Sequence, residues 1–499
     1  MIAPSEFDYK TSKTYSSKVL VKDTPEYEIA RRNNASAATP NRYPREIHIV
    51  HDTTDISRAL KRAADLGVTV GVRSGGHLYS CGALVHDGIL IDTTHLNRKP
   101  QYNESTQEVV FGPAIRVREL ALFLDERKRF MPYGHSPTVA AGGYLLAGGQ
   151  GWFHRGWGAT CQSFVTKLEI VVPDGRTVIA SRTENQDLFW AARGSGTGFF
   201  GVVSRFWCRT VPASRIWIRV LTFEIGELYT PILTWAVEAS RKTPKMGTDL
   251  NVGFGWSLPD GRKPHEVPES EGIPKDAKLI ATCLNTVYAD TEEEAKALLA
   301  NYQDDRVPEE LRKALVFSQP AMPVTVNEMF GGPEGFAGTG DPGPGMRWQV
   351  NSIVNDPSVP LPHLLAAIKP AITELPTLKS ASVVTMASIV ADEQDAAFSV
   401  SQDMYISSFT GWTDTSLEPA VNNHMKERYR ALAPMSSGMY MADFNVADDY
   451  ANSNPLSDTA LDKFLTIREK WDPKGLFPNY KRFIETHKRV TALRKFARL

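Results

Sequence analysis

Glycine placement constrains this chain more than any other feature. Of the 36 glycines in the 499-residue sequence, 15 crowd into three zones, residues 71–76, 134–158 and 194–201. Such clusters serve tight turns or the close approach of backbone to a ligand, and any fold has to account for all three. The second zone contains the uncharged run Met131–His154, which is long enough to span a bilayer. Its glycines, its two prolines and the Arg155 that follows argue instead for buried or ligand-facing backbone.

The first zone is delivered by a short strand–helix–strand unit. Glu46 to Val50 alternates as a strand, Thr53 to Leu66 carries Ile56, Ala59, Leu60 and Ala63 at helical spacing, and Gly67 is a natural stop. Val68, Val70 and Val72 then alternate into Arg73-Ser74-Gly75-Gly76-His77. This reads as a minimal βαβ unit ending in a loop whose two glycines let backbone N–H groups form an anion nest. Arg73 would add positive charge and His77 could reach a bound ligand. The alternative is a surface turn with an exposed histidine.

In the second zone, Pro137-Thr138-Val139 leads into Gly142-Gly143 and then Gly148-Gly149-Gln150-Gly151. These small residues suit backbone laid against a flat ring system, or a glycine-rich segment packed in the core. In the third zone, Gly196-Thr197-Gly198-Phe199-Phe200-Gly201 spells the dinucleotide fingerprint. That motif needs a strand before it and a helix after it. Here a helical segment, Asn185 to Arg193, precedes and the strand-like Val202-Val203 follows, so a Rossmann reading is rejected. Pro173-Asp174-Gly175 between two β-rich runs predicts a hairpin. After Pro212 the texture becomes antiparallel strands with helices near 229–242, 291–302 and 361–374. The Gly/Pro segment 331–345 reads as a surface excursion or lid.

Taken together, these motifs resemble the FAD-dependent oxidoreductases of the vanillyl-alcohol-oxidase type, in the berberine-bridge-enzyme-like branch. The carriers are Arg73 to His77, the Pro137–Gly151 stretch, Gly198-Phe199-Phe200-Gly201-Val202-Val203, Tyr440 to Phe444 and Lys470 to Phe477. The resemblance implies an α+β, two-domain FAD-linked oxidase fold. A PCMH-type FAD-binding domain (1–215, with a C-terminal return at 435–499) is split around an antiparallel-sheet substrate domain (216–434). It implies FAD contacts from Arg73, Ser74, Gly75, Gly76, His77, Leu78, Pro137, Thr138, Val139, Gly142, Gly143, Gly148, Gly149, Gly151, Gly201 and Val203. Asn479 and Tyr480 join them where the closing loop returns. It also implies a covalent bond from His77 to the flavin 8α-methyl. Many members carry a second, cysteinyl link just before Pro-Thr-Val. This chain has Gly134-His135-Ser136-Pro137 there, so FAD is expected to be bonded through His77 only.

For chemistry, the resemblance implies hydride transfer from a substrate carbon to flavin N5 with a base removing a proton. Tyr440 and Asp443 match the family's catalytic strand, although Asp443 stands where Asn is frequent and could be a structural acid. His135 is a candidate polar active-site residue or a supporting one. The expected function is an oxidase of a small organic alcohol, phenol or amine, reoxidised by O2 with release of hydrogen peroxide. The alternatives are a dehydrogenase of the same fold, a carbohydrate oxidase, and a flavin-binding protein without catalysis.

Charge and termini bound the partners. Lys and Arg total 56 against 57 Asp and Glu, which removes the footprint of a nucleic-acid binder and argues against docking on anionic membranes. No metal-ligand spacing occurs, and the four cysteines make no disulfide framework. The N-terminal residues lack an apolar signal region, so an intracellular chain is expected, cytoplasmic or peroxisomal. Ala497-Arg498-Leu499 has the chemistry read by the peroxisomal import receptor.

Overall fold

The computed structural model describes residues 18–330, 345–444 and 455–477. Asn479, Tyr480, residues 331–344 of the Gly/Pro segment and Ala497-Arg498-Leu499 lie outside the described residues.

The helix Thr53–Leu66 forms as the spacing predicts. Asp52 caps it by accepting from Asp55 N, and Gly67 ends it at φ +65°, a conformation that costs glycine nothing. Its buried stripe faces a small sheet. In that sheet Glu46–Ile49 and Val70–Arg73 are not neighbours: Ile89–Asp92 lies between them and pairs parallel with both. The βαβ unit therefore skips a strand position. Lys18–Val21 closes one edge antiparallel to Glu46–Ile49.

A second, antiparallel sheet orders Gln101–Asn103, Glu108–Phe111, Val202–Arg209, Val165–Val171 and Thr177–Ser181. Its last two strands are the Pro-Asp-Gly hairpin, closed by Gly175 N donating to Val172 O. The third glycine zone follows the helix Gln186–Ala192 and feeds the strand Val202–Arg209. This is the reversed order that excluded a dinucleotide fold.

The strands from Ile216–Glu224 to Ser436–Gly438 build one eight-stranded antiparallel sheet. Alternation along each strand gives it two faces. Val252, Val384, Ile406 and Ile353 stand side by side in register and belong to a core. The helices Tyr229–Lys242, Leu361–Thr373 and Glu418–Ala431 contribute to that same core. The opposite face carries Asn251, Thr385 and Tyr405, also in register, and turns toward the first half of the chain. The helix Asp458–Trp471 returns there as well: Phe464 packs on Phe200 at 5.3 Å between ring centroids, and Trp471 Nε1 donates to Asp187. No helix among the described residues is long and apolar enough to cross a membrane.

Candidate active site

The loop after Val70–Arg73 is stitched to the second glycine zone by one residue that no motif flagged. Arg116 Nη1 donates to Gly75 O at 3.0 Å and to Thr138 O at 2.7 Å. Gly75 is required because a Cβ there would collide with Ala140 and Arg116. His77 Nε2 lies 3.0 Å from the Thr138 hydroxyl, and Ser136 Oγ is 3.3 Å from that same hydroxyl. Burial, then the Arg116 charge, pushes the His77 imidazole down to about 4. It is therefore neutral at neutral pH, with a nucleophilic nitrogen. Leu78 and Val139 pack against the core beside it.

Arg73 does something other than expected. Its guanidinium is buried, donates to Ala30 O at 2.6 Å and pairs with Asp92 at 2.5 Å, its partner in the parallel ladder. Burial, the largest influence, would raise the Asp92 carboxyl, but Arg73 and the Thr94 hydrogen bonds together hold it below the usual range. A buried charge has to be paired, and here the pairing consumes the cation. Arg73 braces the loop through its terminal nitrogens, while its buried Nε is left without a protein partner.

The glycines also divide. A Cβ on Gly142 would strike Pro113, on Gly148 the Phe398 ring, on Gly149 Thr160, on Gly151 Tyr144 and the Tyr133 carbonyl, and on Gly201 Ile170. Close protein packing explains why these five positions are glycine. Val203 likewise is buried against Ile170 in the ladder. Gly143 is different: it is exposed, and a Cβ there would meet nothing nearer than Ser74 Oγ at 3.8 Å. Ser74 and Gly143 thus face each other at contact distance, without the clash that marks the other five. The Ser195 and Thr197 hydroxyls of the third zone are buried without a protein partner. Unanswered hydroxyls and an exposed glycine backbone fit a large polar group such as FAD.

Across from this cradle, the sheet face supplies proton-handling groups. The Tyr405 hydroxyl donates to Asp443 Oδ2 at 2.7 Å, and Ser352 Oγ donates to Asp443 O at 2.7 Å. Burial pushes the Asp443 carboxyl up to about 6 against the opposing Tyr405 bond. Burial and the Asp443 charge raise the Tyr405 phenol well above its usual value. Tyr440 packs edge-on against Tyr405 at 5.9 Å, and its hydroxyl accepts from Gln150 N at 3.3 Å. Asp443 is neither a helix cap nor ion-paired among the described residues. The sequence singled out Tyr440, but it is Tyr405 that touches the acid. Tyr405 sits in an unremarkable strand, Tyr405–Trp412, and only register brings it to Asp443.

His135 stands at the other end of the same face. Its Nε2 is 3.0 Å from Asp249 Oδ2, which also accepts from Phe153 N at 2.8 Å. Burial alone would raise the Asp249 carboxyl, but His135, His154 and the Phe153 N–H hold it well below the carboxylate range. Asp249 and His154 carried no sequence signal.

Residues 44–181 match the family of FAD binding domains. An FAD-linked oxidoreductase, nodO of Hypoxylon pulicicidum, is 28% identical over 90% of this chain and 93% of its own length. The glucooligosaccharide oxidase of Sarocladium strictum is 33% identical over 36% of this chain and 36% of its own. The structure of a Physcomitrella patens BBE-like 1 protein superposes with a TM-score of 0.73, covering 93% of this chain and 96% of its own at 18% identity.

Proposed function

We propose that this chain, an FAD-dependent oxidoreductase with the two-domain fold of the berberine-bridge-enzyme-like branch, is an oxidase of a small organic alcohol, phenol or amine. The observation that carries this reading is the 2.7 Å hydrogen bond from Tyr405 to Asp443 on the sheet face opposite the cradle. Bound FAD would supply a hydride acceptor that O2 could reoxidise with release of hydrogen peroxide.

The chain's own residues handle the proton and the position. Asp443, ionised above about pH 6, draws the Tyr405 proton. The Tyr405 oxygen in turn takes the proton from a substrate hydroxyl or amine as hydride leaves the adjacent carbon. The product is the carbonyl or imine. Tyr440, tied to Gln150, fixes the ring of Tyr405 from its edge. Ser195, Thr197, Ser74 and Gly143 hold the cofactor. His77, neutral and hydrogen-bonded to Thr138, is the nucleophile for a single covalent bond to the flavin. With Ser136 before Pro137, no second bond forms.

A second reading, carbohydrate oxidation, is favoured by the similarity to glucooligosaccharide oxidase. One experiment separates them. The purified protein is mixed without oxygen with a panel of alcohols, phenols, amines and sugars, and loss of the oxidised flavin absorbance is scored. Oxygen is then admitted. Bleaching by sugars alone supports carbohydrate oxidation. Bleaching without reoxidation by oxygen defeats the oxidase reading in favour of a dehydrogenase.

A further inference from the structure

His135, His154 and Asp249 converge from a loop, a short helix and a sheet strand. One ligand atom from each lies within 4.8 Å of the others. We propose that these three side chains form a binding site for one zinc-type divalent metal ion.

Three features carry the proposal. First, His154 Nδ1 donates to Gly151 O at 2.7 Å. Its Nε2 is therefore a bare lone pair, yet it is buried and has no partner. A backbone carbonyl on one ring nitrogen is the arrangement that fixes the tautomer and aim of metal-binding histidines. Second, His135 Nε2 and Asp249 Oδ2 stand 3.0 Å apart. Ligand atoms of a tetrahedral zinc, with bonds of about 2.0–2.2 Å, are separated by about 3.3 Å. Third, Asp249 is held in place: Asn251 Nδ2 donates to Oδ1 at 2.5 Å and Phe153 N to Oδ2 at 2.8 Å. A His135–Asp249 hydrogen bond by itself leaves the His154 lone pair unanswered. A cation answers all three groups.

Two imidazoles and one carboxylate form a borderline donor set. It suits zinc and its neighbours, not magnesium or calcium, which take cages of oxygen. Three protein ligands leave a fourth position for a water molecule; among the three, His135 has the partly exposed side chain, at 30%. The ion joins the second glycine zone to the strand Thr248–Ser257 and so ties the cradle to the substrate sheet.

The test uses tag-free holoenzyme, stripped with chelator, loaded with zinc chloride and gel-filtered before metal analysis. The wild type is expected to retain about one zinc per chain. His154→Gln and the half-exposed His135→Ala are expected to retain at least about tenfold less. Each variant is first checked for a cooperative thermal transition, and zinc should raise the midpoint only in the wild type. Cobalt(II) in place of zinc should give the ligand-field absorption of a four-coordinate site, read beyond the flavin bands. A wild type that retains no zinc, or variants that retain as much as the wild type, overturns the site.

Discussion

The Thr385 hydroxyl donates to Asn251 Oδ1 at 2.6 Å, between two residues that face each other on adjacent strands. This bond links the two ends of the sheet's polar face. Asn251 leads to Asp249 and His135, and Thr385 stands in register with Tyr405, which leads to Asp443. One residue along each strand, the same sheet is apolar. The face toward the cradle is thus a polar row with a fixed order of charges, built by register and not by any local motif.

Removing the Tyr405 hydroxyl should stop proton removal while leaving the cradle intact. Tyr405→Phe is expected to slow anaerobic flavin reduction by about 10²–10⁴-fold, with flavin content unchanged. Tyr440→Phe should cost far less, because Tyr440 meets the Gln150 backbone and not the acid. Rapid mixing with a bleaching substrate reads both. Equal losses in the two variants would return the role to Tyr440.

Asp443 should show opposite pH trends in rate and stability. Its folded-state value, about 6, lies above the ordinary 3.8. The flavin reduction rate should therefore rise with pH through about 6, as the carboxylate forms. Between these values the folded state binds the extra proton, so the group's contribution to stability is present at low pH and lost as pH rises through 6. Asp443→Asn should abolish the rate limb. It should also stabilise the fold above pH 6 by at most about 3 kcal/mol. Paired pH–rate and denaturant series check this, and a loss of stability at pH 8 would contradict it.

Local signals made part of this legible in the sequence. The helix Thr53–Leu66, its Gly67 stop and the Pro-Asp-Gly hairpin depend on neighbours in the chain, and they appear where the sequence places them. So does His77. What stayed hidden depends on partners far along the chain. Arg116 reaches Gly75, Asp249 reaches His135, and Tyr405 reaches Asp443. Arg73 reads as a ligand cation until Asp92 is seen beside it.

The Arg73–Asp92 pair gives a stability test. Arg73→Met alone leaves the Asp92 charge buried and unpaired, which is expected to cost about 3–5 kcal/mol. Arg73→Met with Asp92→Leu should recover most of that, and FAD content with it. Chemical denaturation and flavin absorbance report the two quantities. FAD loss persisting in the stable double variant would restore Arg73 as a cofactor contact.

His77 sets the fate of the colour. If the proposed His77 bond forms, acid-precipitated wild type should stay yellow. His77→Ala should release its flavin to the supernatant or bind none. Mass spectrometry of the intact chain gives the same answer as one flavin's mass gained and lost. Release of the flavin from the wild type would refute the bond.

The divided glycines predict opposite phenotypes for a single added methyl. In Gly151→Ala the new Cβ meets the Tyr144 hydroxyl and the Tyr133 carbonyl. Both are buried, so the fold has to shift, and overpacking of this kind costs about 1–3 kcal/mol. In Gly143→Ala the Cβ, within the helix Ala141–Leu146, makes only an ordinary contact with the Ser74 hydroxyl at 3.8 Å. There alanine favours helix by up to about 1 kcal/mol. Gly143→Ala should therefore melt no lower than wild type, yet take up FAD more weakly because the methyl enters the cradle. With each change placed in a His77→Ala background so that the flavin can be removed, thermal midpoints of the flavin-free proteins and flavin content after reconstitution give the comparison. If Gly143→Ala destabilises the fold as Gly151→Ala does, or binds FAD as the wild type does, the cradle does not lie between Ser74 and Gly143.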